Sequence, residues 1–373
     1  MKSTIYPFIN RRRFNFLLKV FRSLLSDYRC NMPIIVDLEL SNRCNLRCDM
    51  CWFHGRNGIG DLYTEKELET YEVYKIIDQL SPYNPHIYIG GTEPFIREDF
   101  LQILKYIKNH NMSVSFTTNG TLLNRKLTEE LFGIGVDCIN FSLDGNEILH
   151  DKIRGIGVYN EVTKRIKDLS DWKKENNIMM PMININITVT HLLEGKVLEA
   201  LKAIKESVGD GVDSYRIHHL WFITKNELLK HQSRVQEKLG CMAPGAASHF
   251  ISSSNIPNRN AIAEELMDVR SFPKIDMFPM LNHSEIVDYY SENIKSKIRC
   301  LAPFLGAVIK PNGDVKFCPD EWIDDYFLGN LRKDSFHDIW NNKKSREFRK
   351  VLFREKNFTG CKRCSWMYSY GEV

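Results

Sequence analysis

Between residues 34 and 222 the apolar residues come in short runs, separated by longer segments in which they recur every third or fourth position. Short continuous runs read as strands buried on both faces, and the 3.6-residue recurrence reads as helices laid over them. The pattern places strands near 34–40, 86–90, 112–118, 136–143, 182–190 and 213–222. Helices fall between them near 65–80, 97–109, 125–133, 158–177 and 195–207, the first opened by Thr64-x-x-Glu67 in capping-box spacing. Six such units imply an α/β fold with parallel strands and right-handed crossovers, which presents its ligands at the carboxyl ends of the strands.

Two segments break this rhythm. Over 11–29, Phe14, Leu17, Leu18, Phe21, Leu24, Leu25 and Tyr28 share a helical stripe among six basic residues, with Asp27 the only acid. Lys19 and Arg22 interrupt it, so it does not span a bilayer; it either lies on a membrane surface or packs across one end of the fold. Residues 223–299 hold a Gly/Ser/Asn-rich stretch near 245–260 and a helix near 284–296, which reads as a linker and lid-like insertion. Composition adds little: 43% hydrophobic and 26% charged residues are globular values, and a net charge of +4 is too small to argue for a nucleic-acid partner. Ten cysteines matter more, because seven fall into two clusters, which favours a reducing cytoplasm over secretion.

The first cluster is Cys44, Cys48 and Cys51, at spacing C-x3-C-x2-C on the loop leaving the first strand. Thiolates so close select zinc, copper(I) or an iron-sulfur centre. Three is one short of a closed zinc site, which Cys30 or a distant cysteine would have to complete. A [4Fe–4S] cluster on three cysteines would keep one iron open. The second cluster, Cys300, Cys318, Cys361 and Cys364, makes a closed four-thiol site that suits a zinc ribbon as well as a [4Fe–4S] centre. Strand ends carry Gly90-Gly91-Thr92-Glu93-Pro94, Thr117-Thr118-Asn119-Gly120 and Ser142-Leu143-Asp144-Gly145, each by itself an ordinary turn. His218 and His219 end the sixth strand, either as proton-handling or substrate-contacting groups or as one buried and one outward-facing side chain.

Taken together these residues resemble the radical S-adenosylmethionine (SAM) enzymes. The resemblance implies a partial, six-stranded (βα)6 barrel over 34–222, open on one side, and a SPASM/twitch-like domain over 300–373, with 1–33 a basic helix and 223–299 an insertion. Cys44, Cys48 and Cys51 would hold a [4Fe–4S] cluster whose open iron chelates SAM, although Met50 stands where the family commonly has an aromatic residue. Gly91, Thr92 and Glu93 would hold the SAM amino group and Ser142 and Arg154 its ribose and carboxylate, with Asn119 at the third strand end and Val189, beside Thr190, near the adenine. Cys300, Cys318, Cys361 and Cys364 would carry one auxiliary [4Fe–4S] cluster.

The implied chemistry is reductive cleavage of SAM to a 5′-deoxyadenosyl radical that takes hydrogen from an unactivated C–H bond, with reduced flavodoxin or ferredoxin as electron donor. The expected substrate is a small molecule such as a sugar, aminocyclitol or lipid-linked glycan, with a ribosomally made peptide as the alternative and a non-enzymatic zinc module as a third reading. The expected location is cytoplasmic, membrane-peripheral if 11–29 touches lipid.

Overall fold

The computed structural model describes residues 13–56 and 58–372. After a helix α1 (Arg13–Leu25), the chain alternates β1 (Ile35–Leu38), α2 (Thr70–Leu80), β2 (His86–Ile89), α3 (Phe100–Asn109), β3 (Val114–Thr118), α4 (Arg125–Ile134) and β4 (Cys138–Ser142). It continues through α5 (Glu147–Arg154), α6 (Val158–Glu175), β5 (Met182–Val189), α7 (Val197–Val208) and β6 (Ser214–His219). The strands pair in parallel in chain order, as βα repeats require. Their outward positions, such as Val36, Ile87, Phe116, Ile139, Ile185 and Ile217, are fully buried under helices whose own stripes are apolar, for instance Phe100, Ile103, Leu104 and Ile107 of α3.

The alternate register positions are polar. Asp37 lies beside Tyr88, Asn140 beside Asn184, Asn186 beside Arg216 and Thr188 beside His218. Tyr88 on β2 and Arg216 on β6 feel each other's charge although three strands lie between them, so the sheet curls around this polar face. The result is an α/β half-barrel with a hydrophilic lumen.

Three expectations need correcting. The first long helix begins at Thr70, capped reciprocally by Glu69 and Glu72, and not at Thr64. Glu67 is drawn away to accept from Ser41 Oγ at 2.7 Å and the Asn42 N–H at 3.0 Å, which ties it to the segment leading into the cysteine loop. Residues 223–299 are not a loose linker: they fold as α8 (Lys225–Leu239), α9 (Arg259–Val269), β7 (Ile275–Phe278) and α10 (His283–Tyr289). β7 pairs in parallel with β6, so the barrel sheet continues past residue 222. Residues 1–12 of the basic N-terminal segment lie outside the described residues. Over the described part α1 buries Val20 and Ser23 against the body and leaves Phe21 and Leu25 58% and 74% exposed. Among the described residues no helix is long and apolar enough to cross a membrane.

The C-terminal region returns to the start of the sheet. β8 (Arg299–Cys300) precedes β9 (Gly306–Ile309), which pairs in parallel with β1; β10 (Asp314–Lys316) and β11 (Gly329–Asn330) extend it antiparallel, and α11 (Phe336–Asn341), α12 (Lys343–Glu355) and α13 (Ser365–Tyr370) follow. A buried ion network sits at this seam. Lys310 donates to Glu39 of the β1 end and, at 2.7 Å, to Glu321, whose second oxygen accepts from Lys316. All four side chains are at most 7% exposed.

Burial also fixes the protonation of several histidines. His150, His219 and His249 are at most 3% exposed, and burial first of all pushes them down to about 3, 3 and 4. A base depressed in the folded state contributes stability that is complete above its unfolded value, near 6.5, and is lost as pH falls toward the folded value. Each should therefore cost the fold on the order of 1 kcal/mol per unit of acidification below about 6.5. The urea midpoint should drop steadily from pH 7 to pH 5, and a His150→Gln variant should show a shallower drop; an equal slope would exclude His150 from the effect.

Candidate cluster and cofactor site

The loop after β1 carries Cys44, Cys48 and Cys51 at the carboxyl ends of the strands. It folds back tightly: a Cβ on Gly55 would lie 2.3 Å from the Cys51 carbonyl oxygen, so only glycine closes this turn. The three thiols share one small volume, since each of Cys44 and Cys51 raises the proton affinity of Cys48. Every sulfur faces a donor. The Leu46 N–H points at Cys44 Sγ (3.5 Å), the His54 N–H at Cys51 Sγ (3.2 Å), and Arg154 Nη1 at Cys48 Sγ (3.7 Å). Burial pushes the Cys48 thiol up to about 11, with Arg154 acting against it. Among the described residues no three Cys, His, Asp or Glu side chains converge closely enough for a single ion. Three thiols around one volume, each met by a donor suited to a thiolate, could hold a polynuclear iron-sulfur centre with one position left for another ligand.

Arg154 stands at the end of α5. Its Nε donates to Asp144 Oδ2 at 2.7 Å, and Asp144 Oδ1 accepts from the Thr188 N–H at 2.6 Å. Burial disfavours its charge, but Asp144 and Cys48 more than offset this and hold the guanidinium firmly protonated. Asp144 was visible as part of a turn; its task of aiming Arg154 at the sulfurs depends on distance in space. Ser142, one strand position from the lumen rim, is half-buried, on the same face as Asn140. Asn119 donates from Nδ2 to Asn45 Oδ1 at 2.9 Å and approaches Cys44 Sγ at 4.0 Å, while its Oδ1 accepts from Thr121. It therefore braces the cysteine loop.

The Gly90–Pro94 turn differs from expectation at its acid. Glu93 is 1% exposed, and its carboxylate accepts from Thr118 Oγ, the Asn119 N–H at 2.8 Å and the Phe95 N–H at 3.2 Å. Burial lifts it to about 7 against the pull of these donors. Both oxygens are thus committed to the chain, so Glu93 shapes the turn, and a bound ammonium would have to meet backbone atoms. Gly91 has φ +87°, and a Cβ there would come within 3.2 Å of Glu39 Cγ; glycine is required on both counts. Thr92 Oγ1 donates to the Ser41 carbonyl at 2.7 Å, fastening the turn to the cysteine loop.

Two further assignments change. Val189 is wholly buried in the helix-side core, because it sits on the outward register of β5; Thr190, whose buried Oγ1 has no partner among the described residues, is the polar group at that strand end. His218 and His219 do not act together, because neighbours on a strand face opposite ways. His218 stacks on Phe278 at 5.2 Å, and His219 packs outward, with Nδ1 3.1 Å from Tyr290 Oη. Burial pushes both down to about 3, so both rings are neutral near pH 7.

Cys300, Cys318, Cys361 and Cys364 meet beneath this seam. Burial first, and then Cys361, Cys300 and Cys364, raise Cys318 well above the usual thiol range, so all four share one site. Cys30, Cys138 and Cys241 stand apart, next to Ser23, Asn184 and Asp325 respectively. Sequence reading missed an aromatic bridge between the two cysteine sets. Trp52, next to Cys51, lies 5.5 Å from the His249 ring, which stacks on Trp322 at 4.1 Å and 11°. His249 comes from the segment read as an insertion, where nothing local marks it.

Residues 38–188 match the family model of the radical SAM superfamily, and 300–365 match that of an iron-sulfur cluster-binding domain. The tungsten-containing aldehyde ferredoxin oxidoreductase cofactor-modifying protein of Pyrococcus furiosus is 26% identical, over 88% of this chain and 86% of that protein. Mycofactocin maturase MftC of Mycolicibacterium smegmatis is 32% identical over 37% of this chain and 35% of that one. Among solved structures, Streptococcus suis SuiB bound to its precursor peptide SuiA shares the fold, with a TM-score of 0.59, 15% identity and coverage of 94% of this chain and 73% of SuiB.

Proposed function

The chain is a member of the radical SAM superfamily with a C-terminal iron-sulfur cluster-binding domain, and from that premise we propose that it abstracts hydrogen from a C–H bond of a compact, polar small molecule held in the barrel lumen. It is an enzyme whose cofactors are SAM and [4Fe–4S] clusters. When bound, a reduced cluster and SAM supply the hydrogen-abstracting power.

The chain's own residues hold and shield this chemistry. Cys44, Cys48 and Cys51 would carry the SAM-binding cluster, and Cys300, Cys318, Cys361 and Cys364 the auxiliary one. Arg154, fixed by Asp144, places a permanent cation beside Cys48, where it offsets the negative charge of a thiolate-bound cluster and can pair with a carboxylate. Gly91 and Thr92 let backbone atoms approach an amino group, and Ser142 and Thr190 offer hydroxyls at two strand ends.

The observation that carries the substrate size is the segment packed beside the barrel's open side. β7 pairs with β6 there, and Glu227 of α8 locks onto Arg363 at 2.8 Å, so the segment is welded to the C-terminal module. The lumen behind it presents Asp37, Asn186, Arg216 and His218, each with a buried polar atom that has no hydrogen-bond partner among the described residues. Such atoms call for a polar ligand. A cofactor-like molecule or a sugar meets this description, and the Pyrococcus relative's name points to a cofactor. A ribosomal peptide is the second reading, favoured by the fold shared with peptide-bound SuiB and by the maturase relatives. The test is 5′-deoxyadenosine release by the anaerobically reconstituted enzyme with SAM and reductant, offered small-molecule and peptide fractions of a cell extract separately. Stimulation by the small-molecule fraction is expected; stimulation by the peptide fraction alone would overturn the substrate class.

A further inference from the structure

We propose that Arg216, at the floor of the barrel lumen, receives a carboxylate of the substrate, so that the molecule held there is a carboxylic acid. This rests on the reading of the lumen as the site of a compact, polar substrate. On β4, β5 and β6 the inward residue nearer the carboxyl end is half-buried and the one before it is buried: Ser142 after Asn140, Asn186 after Asn184, His218 after Arg216. The lumen is therefore a recess that opens toward the strand ends, with Arg216, 3% exposed, at its floor.

The chain leaves this cation without a counter-charge. Arg97 and Arg363, likewise buried, each meet a carboxylate, at 2.6 and 2.8 Å. Arg349, which meets none among the described residues, lies against the faces of Phe317 and Trp340 and donates to the Pro303 carbonyl at 2.8 Å. Around Arg216 the acceptors are two neutral amides: Nη1 donates to Asn140 Oδ1 at 2.8 Å, and the Asn184 amide oxygen lies 2.9 Å from Nη2. Nε is buried with no partner among the described residues. The groups whose charge reaches Arg216 are Cys138, Asp276 and Tyr88. Burial pushes the Cys138 thiol and the Tyr88 phenol up, so both stay neutral near pH 7, and Asp276 on β7 forms no ion pair with Arg216 and is bonded instead to Ser214 Oγ at 3.0 Å. An interior guanidinium in neutral surroundings is costly, and a carboxylate entering the recess removes that cost by accepting from Nε and Nη2 as a fork. His218, the next inward residue, also has a buried Nε2 without a partner among the described residues, and as a neutral ring it can donate one further hydrogen bond. One fixed positive charge matches the single charge of a carboxylate; a phosphate dianion would call for a second cation, which neither the amides nor a neutral His218 provides. With its acid group at the floor, the rest of the molecule points to the strand ends, where the cysteine loop lies.

The experiment compares thermal unfolding of the full-length reconstituted protein in sodium chloride, sodium formate and sodium phosphate at equal ionic strength, for the wild type, Arg216→Gln and Arg216→Lys. Formate should raise the wild-type midpoint over chloride by about 1–3 °C, and phosphate should not. The shift should vanish in Arg216→Gln and survive, smaller, in Arg216→Lys, which keeps the charge and loses the fork. In chloride Arg216→Gln should melt at or above the wild type, because a binding group held at a cost to the fold has been removed. An equal formate shift in wild type and Arg216→Gln, or none in either, overturns the proposal. A larger shift with phosphate overturns the carboxylate in favour of a phosphoryl group. An Arg216→Gln variant that melts below the wild type in chloride, or fails to fold, would make Arg216 a strut of the barrel and also overturn it. In the 5′-deoxyadenosine assay, the part of the small-molecule fraction that an anion exchanger retains should stimulate the wild type. Stimulation by the unretained part alone overturns the acid and leaves a small-molecule substrate standing. If only the peptide fraction stimulates, it is the reading of substrate size that fails, and the formate shifts still decide the role of Arg216.

Discussion

A Cys48→Ala enzyme should bind about four fewer irons per chain than the wild type after anaerobic reconstitution, the content of one [4Fe–4S] cluster, and should form no detectable 5′-deoxyadenosine. Cys48 is the most sensitive of the three positions. Its side chain is 8% exposed, so water or buffer thiol cannot easily take its place, and Arg154 Nη1 already points at its sulfur from 3.7 Å. Two thiols cannot hold a cluster that three hold with one iron open. The fold has little stake in the sulfur: Arg154 keeps its bond to Asp144, and the loop keeps its bonds through Asn45 and Ser41. Circular dichroism and the urea midpoint of the metal-free protein should therefore match the wild type. The four C-terminal thiols should still take up their own irons. Retained 5′-deoxyadenosine formation would sink the assignment of this cluster site.

A Glu321→Gln variant should lose about 3–5 kcal/mol of stability, as when one partner is removed from a buried ion pair. Glu321 is wholly buried and lies between Lys310 and Lys316, so the substitution leaves Lys310 with Glu39 as its remaining ion-pair partner and takes from Lys316 the carboxylate it donates to. Burial alone would raise this carboxyl, but the two lysines overcome it and hold it well below the usual carboxylate range. A depressed acid contributes stability that is complete above its unfolded value, near 4.3, and is lost as pH falls through the folded value. The wild type should weaken more steeply in that acid window than the variant. Glu129→Gln, which breaks the exposed Arg125–Glu129 pair on α4, is the control and should shift stability by under about 0.5 kcal/mol. A Glu321→Gln loss as small as that would show that the network does not brace the seam.

The barrel and both cysteine sets were legible because their signals are local: apolar runs for strands buried on two faces, and thiols at metal spacing. What escaped depended on distant partners. β7 is four residues, Ile275–Phe278, followed by a proline, and nothing in Ile-Asp-Met-Phe marks a strand until β6 lies beside it. α8 reads as a polar segment because its buried face consists of Glu227, His231 and Val235, two of them polar residues satisfied by Arg363 and by Trp322 and Gly360. Glu93 sits in a motif that suggested ligand binding, yet Thr118 and Asn119 of the next strand end consume it. Lys310 and Glu39 are 271 positions apart, a pairing that only topology creates.

The parallel pairing of β1 with β9 has a consequence for how the chain is made. β1 leaves the ribosome early, but the strand that covers its open edge is about 270 residues behind, a delay of roughly 15 to 55 seconds of synthesis. Until then the nascent protein carries an uncovered hydrophobic strand followed at once by three free thiols. Chaperone binding and metallocluster delivery have their opportunity in that interval, and a release at residue 299 should yield an aggregating fragment rather than a smaller enzyme.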